Sequence, residues 1–295
     1  MNVFVLGGSG FIGTAVVAEL LAHGHRVTAL ARSNRAATAL STAGCTVIPG
    51  DIRAPDQWVK DIGTVDGVIH TAATFTDDQG DVDRHLVDAL LRHFIVTGAR
   101  PRLLYTGGCW LYGSKGATPI TEDSPFDTPP DFAWMIEQRA TLLDSPAVVA
   151  SIVHPAMVYD WDGGVISMFM DDARAGGPIR VYGSESVRWP LVHRDDLAVL
   201  YRLALEQGHA GADYHGVAEP GVPVGDIARA VARRFGVPDV IDVRPIAELV
   251  AERGDWAQGY AFDQVMTGTL TRDSFGWRPR HDGLLRGPGG DAQTP

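Results

Sequence analysis

Asn2-Val3-Phe4-Val5-Leu6-Gly7-Gly8-Ser9-Gly10-Phe11-Ile12-Gly13 is the stretch whose reading decides the fold. A short apolar, β-branched run gives way to glycines, and the glycines lead straight into a helical pattern. Gly8, Gly10 and Gly13 satisfy G-x-G-x-x-G, the pattern of a strand–turn–helix that cradles a dinucleotide. The first glycine permits the tight turn, the second lets backbone approach a pyrophosphate, and the third lets helix pack closely on strand. A helix opening at Phe11 and Ile12 then offers free N–H groups and a partial positive charge to the phosphates.

Outward from this turn, Ile12, Val16, Val17, Leu20 and Leu21 mark one face of a helix closed by Gly24. Strands are predicted at 27–31, 46–49, 65–70, 102–106 and 147–154, with helical spacing at 82–96 and 132–143. Strands alternating with helices predict an α/β, Rossmann-type, doubly wound parallel sheet. Beyond Pro155 the alternation weakens, with clear helices only at 195–206 and 224–235. The division expected is a dinucleotide-binding domain over 1–158, rejoined by part of 188–217, and a smaller substrate-binding lobe over 159–280. Residues 281–295, glycine-rich and polar, are expected to form a flexible tail.

Composition narrows the partners. With 45% hydrophobic and 21% charged residues the chain reads as an ordinary globular protein, and a net charge of -11 argues against nucleic acid or an anionic membrane. Cys45 and Cys109 are the only cysteines, so neither a disulfide framework nor a cysteine metal site is implied, and no metal is expected. The N-terminus reads as a strand and no apolar run is long enough to span a bilayer, so a cytoplasmic location is expected. A small-molecule substrate is the expected partner, with a homodimer the candidate assembly.

Sites selective for NAD place an Asp or Glu at the end of the second strand, against the ribose hydroxyls. Here that strand runs into Arg32-Ser33-Asn34-Arg35, without a carboxylate. A guanidinium there suits a 2′-phosphate by charge and by its forked donors, so NADP(H) is the expected cofactor; the plainer reading is a solvated basic loop. Asp51, after the third strand, is placed to accept from the adenine amine, or to cap a turn.

Several motifs resemble the extended short-chain dehydrogenase/reductases of the epimerase/dehydratase type. They are Gly7-x-x-Gly10-x-x-Gly13, Gly50-Asp51-Ile52, the run from Asp66 to Ala73, Tyr105-Thr106-Gly107-Gly108 and Trp110-Leu111-Tyr112-Gly113. His154-Pro155-x-x-Val158-Tyr159, Val192-His193-x-x-Asp196-Leu197 and Phe275-Gly276-Trp277-x-Pro279 continue the series. The resemblance implies cofactor contacts from Gly7, Gly10, Phe11, Ile12, Gly13, Asp51, Ile52, Ala72, Ala73, Thr106 and Pro155, beside the Arg32 and Ser33 read above.

The resemblance also implies a proton donor in Tyr-x-x-x-Lys and a serine or threonine after the fifth strand. In this sequence Gly108 stands at the serine position, and anchoring the helix at Glu137-Gln138 puts Pro129 and Ala133 at the tyrosine and lysine positions. No lysine follows Lys115. Candidates to replace the acid are Tyr112, Tyr159 and His154; a packing role is the plainer reading for each. Trp110, Trp134, Trp161, Trp189 and the run Met168 to Met170 suggest an apolar substrate site. The functional expectation is an NADP(H)-dependent reductase acting on a small, largely apolar carbonyl or imine. Its rivals are a redox-neutral cyclase, isomerase or dehydratase on the same scaffold, and a non-catalytic NADP(H) sensor.

Overall fold

The computed structural model describes residues 1–281 and 283–286. At its centre lies β1 (Asn2–Leu6), flanked by β2 (Arg26–Ala31) and then β3 (Thr46–Pro49) on one side. On the other side lie β4 (Gly67–His70), β5 (Arg102–Thr106), the strand Val149–Pro155 and the edge strand Asp213–Gly216. All seven run parallel. The expected doubly wound sheet is therefore present, and its order reverses between β1 and β4. That crevice, at the carboxyl ends of the strands, is where such sheets bind ligands.

A strand buried on both faces sends alternate side chains to opposite layers. Val3 and Val5 join a core with Val16, Val17 and Leu20 of α1 (Phe11–Ala22). Phe4 and Leu6 join a second core with Leu86, Leu90 and Phe94 of α3 (Gln79–Thr97) and Leu142 of α4 (Ala133–Asp144). The first core continues without a break through α6 (Arg194–Gln207), which packs on α1, into Trp189, Ile227 and Leu284 of the C-terminal part. That part holds short α5 (Ser167–Arg174), α7 (Val224–Phe235), the helices Ile246–Arg253 and Thr269–Phe275, and a four-stranded sheet ordered Glu219–Pro223, Arg188–His193, Met157–Asp160 and Gly163–Gly164.

Four helices among the described residues escape the periodicity: α5, Ile246–Arg253, Thr269–Phe275 and one between β2 and β3. In α2 (Asn34–Ala43) only Leu40 is buried, so there is no apolar stripe to find; the Ser33 hydroxyl caps its first turn by accepting from the Ala36 N–H at 3.2 Å. The expected flexible tail is packed at its start. Leu284 is buried and its N–H donates to the Glu219 carboxylate at 3.1 Å, so packing extends past residue 280. Residues 282 and 287–295 lie outside the described residues.

The glycine turn shows why its residues cannot carry side chains. Gly7 adopts a positive φ of 82°, and a Cβ there would fall 2.7 Å from the Ala72 nitrogen beyond β4. A Cβ on Gly13 would fall 2.0 Å from the Gly7 carbonyl oxygen, so α1 can approach the turn only without it. Gly13→Ala is expected to destabilise the chain by about 1–3 kcal/mol in urea unfolding and to weaken dinucleotide binding with it.

Candidate functional site

The turn presents a cradle that fits a dinucleotide phosphate. Gly10 is the N-cap of α1 and no side chain caps that end, which leaves the first N–H groups, at Phe11, Ile12 and Gly13, facing the crevice. The Phe11 ring packs over Gly163 and Gly164, with the Arg194 guanidinium 5.1 Å above it, tying the phosphate turn to the C-terminal part. At the end of β2, Arg32 and Arg35 are exposed and have no carboxylate within 4.0 Å among the described residues. With the N-terminus of α2 beside Ser33, this corner suits a phosphate. Asp51 also makes the turn its plainer reading gave it: its Oδ1 accepts from the Arg53 N–H at 2.9 Å, and its carbonyl from Trp58 Nε1 at 2.7 Å. Ile52 packs against the second core.

Beside the cradle a cavity of about 610 Å³ opens at the carboxyl edge of the sheet. Ile12, Ala72, Ala73, Thr106 and Pro155, all expected to meet the cofactor, line it together. The opposite wall is aromatic: Trp110, Phe132, Trp134, Trp256 and Tyr260, with Phe75 at the rim. Trp110 is the hub, its ring centroid 5.7 Å from Phe132, 6.3 Å from Trp256 and 5.1 Å from Tyr260. Phe75 is 69% exposed, sits 6.1 Å from Trp256, and holds a positive φ of 53°. Left-handed backbone in a bulky residue costs on the order of 1–2 kcal/mol, so this ring is held at the rim against a local preference.

The floor is polar but closed on itself. The buried Asp83 carboxylate accepts from His70 Nε2 and the Tyr105 hydroxyl, each at 2.9 Å, and from Gln138 Nε2 at 3.3 Å. The Ala72 N–H donates to His70 Nδ1 at 3.3 Å, which fixes the neutral tautomer with its proton on Nε2. Burial, then the Asp83 charge, pushes the Tyr105 phenol well above its usual range. Thr71 donates to the Leu6 carbonyl at 2.9 Å and Thr106 to the His70 carbonyl at 2.6 Å.

None of the three acid candidates from the sequence lines the cavity. Tyr112 is fully buried behind it and donates to His215 Nε2 at 2.8 Å. Tyr159 lies in the second sheet and donates to Glu219 at 3.3 Å. Burial raises both phenols, with nearby carboxylates adding to the effect. His154 is buried under Gly107, its Nε2 2.8 Å from Asp213 and its Nδ1 accepting from the Gly108 N–H at 3.3 Å. Burial alone would raise the Asp213 carboxyl; the hydrogen bonds from Arg139 and His154 outweigh it and bring it down to about 2. Each of these groups therefore braces the scaffold. Cys109 is likewise a buried thiol, pushed up to about 12 by its burial.

The remaining sequence expectations divide. At Gly108 a Cβ would meet nothing within 4 Å, so the place of the expected serine is open space. Phe132, Trp134 and Met135 line the cavity, and neither Pro129 nor Ala133 does. Trp110 and Trp134 belong to the wall as expected, but Trp161, Trp189 and Met168 to Met170 do not. Trp189 instead stacks on Phe169 in the core, centroids 5.8 Å apart. Sequence reading missed Phe75, Arg253, Trp256 and Tyr260, which come from segments without a motif. It also gave no sign that His193, Asp195 and His281 converge; there His193 Nδ1 accepts from the Asp195 N–H and His281 pairs with Asp196 at 3.0 Å.

Comparison with known proteins agrees with this architecture. The model of the NAD dependent epimerase/dehydratase family matches residues 3–217, and the chain belongs to that family. An uncharacterized protein of Schizosaccharomyces pombe is 32% identical over 99% of both chains. The 2-alkyl-3-oxoalkanoate reductase of Stenotrophomonas maltophilia is 25% identical over 81% of this chain and 77% of its own. Among solved structures, a dTDP-glucose 4,6-dehydratase from Streptomyces venezuelae with NAD superposes with a TM-score of 0.82, at 23% identity over 97% of this chain and 95% of its own. Human epimerase family protein SDR39U1 with NADPH gives 0.77, at 22% identity over 97% of each. Among the described residues, no helix is long and apolar enough to cross a membrane.

Two outcomes follow from this geometry. Arg32→Asp is expected to weaken NADPH roughly 10- to 100-fold, as loss of a charge-assisted pair would, and NADH far less; fluorescence titration with both nucleotides decides, and equal loss would remove Arg32 from the site. The second concerns His215, whose imidazole burial and then His154 hold down to about 3. Its folded-state value lies below the unfolded 6.5, so the stabilisation is complete above pH 6.5 and falls as the pH drops toward 3. Between pH 6.5 and 5 this one group removes about 2 kcal/mol. His215→Asn should flatten the pH dependence of the urea midpoint by that amount, whatever its effect at pH 7.5.

Proposed function

We propose that this protein is an NADP(H)-dependent reductase of a small, largely apolar carbonyl or imine, with a proton donor other than Tyr-x-x-x-Lys. The observation that carries the reading is the shared cavity: Ile12 at the start of α1 and the expected cofactor residues Ala72, Ala73, Thr106 and Pro155 line it together with five aromatic side chains. When bound, a reduced nicotinamide supplies two electrons and one hydrogen to the substrate carbon. The chain's own part is to hold and to exclude. Ile12, Thr106 and Pro155 shape the wall toward the cofactor, and Trp110, Trp134 and Trp256 remove water from the substrate side.

The aromatic wall favours an apolar substrate over a sugar, because a buried sugar hydroxyl needs a partner and the polar floor has already spent its donors on Asp83 and backbone carbonyls. The exposed Arg32–Arg35 corner favours a 2′-phosphate on the cofactor. Two relatives support the class by their names, a reductase of 2-alkyl-3-oxoalkanoates and an epimerase family protein holding NADPH.

The direct test uses NADPH deuterated at the transferable position with a panel of apolar ketones, aldehydes and cyclic imines, read by mass spectrometry. Deuterium in a reduced product, matched by stoichiometric NADPH oxidation, is the expected outcome. Turnover of a substrate without net NADPH oxidation would establish the redox-neutral alternative instead.

A further inference from the structure

We propose that Tyr260, which lines this cavity together with Arg253, is its proton donor, a tyrosine–cation pair supplied by the C-terminal part. The inference rests on the reductase reading above. Among the described residues lining the cavity, His70 and Tyr105 both donate to Asp83, Thr71 to the Leu6 carbonyl, Thr106 to the His70 carbonyl, and Trp134 Nε1 to the Asp131 carbonyl. Cys109 is a buried thiol held protonated by that burial. Tyr260 is the lining hydroxyl with no acceptor within hydrogen-bond distance among the described residues, and Arg253 lines the same cavity. Arg253 is the one Lys or Arg among the described lining residues.

Their position is built rather than incidental. The helix Ile246–Arg253 ends at Arg253, and Gly254, with φ 98°, turns the chain into the Asp255–Ala261 segment that brings Tyr260 back over the helix end. Gly259 admits the Trp110 ring so closely that a Cβ there would fall 2.4 Å from it. Trp189 Nε1 fixes the Tyr260 carbonyl at 3.0 Å. The phenol is thus pinned against Trp110, two residues after Gly108, where the resembling enzymes would carry their serine. Burial raises the Tyr260 phenol, and Arg253 draws it back, as a neighbouring cation must.

The chemistry balances without a further reactant. The carbonyl carbon gains one hydrogen and its electron pair from the reduced nicotinamide, and the C=O π pair moves onto oxygen. That oxygen takes the Tyr260 proton as the phenolic O–H bond breaks. The phenolate left behind is held by Arg253 until a solvent proton restores it. An iminium substrate needs no proton at the reacting atoms, so Tyr260 is dispensable for it.

Two measurements test the pair. In protein labelled with 13Cζ-tyrosine and free of nucleotide, the Tyr260 resonance, assigned through Tyr260→Phe, should titrate about one pH unit or more higher in Arg253→Met than in wild type; an unchanged titration overturns the pairing. With deuterated NADPH, the probes are 4-nitrobenzaldehyde and N-methyl-3,4-dihydroisoquinolinium. Tyr260→Phe should lower kcat on the aldehyde by about 100-fold or more and leave the iminium nearly unaffected. Equal loss on both probes marks a structural role, and no loss on either removes Tyr260 from catalysis; each overturns the proposal. A wild-type protein that binds NADPH yet transfers deuterium to neither probe counts against the reductase reading itself, while the titration still decides the pair.

Discussion

Everything in the site depends on one close approach, the start of α1 lying on the Gly7 carbonyl with no Cβ between them. Because Gly13 lets the helix in, its uncapped N-terminus points into the crevice between β1 and β4, where the strand order reverses. The same approach sets α1 against α6, and α6 carries the core across into the C-terminal part. A phosphate cradle, a cavity beside it and an aromatic wall to which the C-terminal part adds Trp256 and Tyr260 are thus consequences of one steric allowance.

Two polar systems under the cavity share a design. His70, Tyr105 and Gln138 converge on Asp83, while Arg139 and His154 converge on Asp213, and His215 joins Tyr112 to the Thr267 carbonyl. Buried polar networks are stabilising only when each member is satisfied, and these are. Satisfaction has a chemical cost, since a proton already donated to a carboxylate is a poor one to give to substrate. That is why the floor of this cavity positions and the wall opposite it, with Tyr260 and Arg253, is left to react.

The Rossmann-type sheet was legible because its signals are local. Strands 46–49 and 102–106 and the helix 224–235 emerge with the limits the apolar pattern predicts, since period and turn residues coincide there. α2 was not legible, for its one buried residue leaves no stripe. The glycine turn could be read because its residues act through backbone geometry, in the positive φ of Gly7 and the close approach at Gly13. The acid could not be. Tyr112, Tyr159 and His154 sit near the right strand ends in sequence, but a strand sends neighbouring side chains to opposite faces, and the 3-10 turn Cys109–Tyr112 directs Tyr112 inward, so all three are buried in the scaffold. Phe75, Arg253, Trp256 and Tyr260 meet only through tertiary folding, from a strained loop and a helix end that carry no motif.

The most direct measurement is native mass spectrometry of the freshly purified protein, with the released small molecules identified. One NADP(H) per chain, accompanied by a flat, apolar carbonyl or imine or its reduced form, is the result predicted by a cavity with a phosphate corner at Arg32 and an aromatic wall. Stoichiometric NAD(H) together with a nucleotide sugar would contradict it.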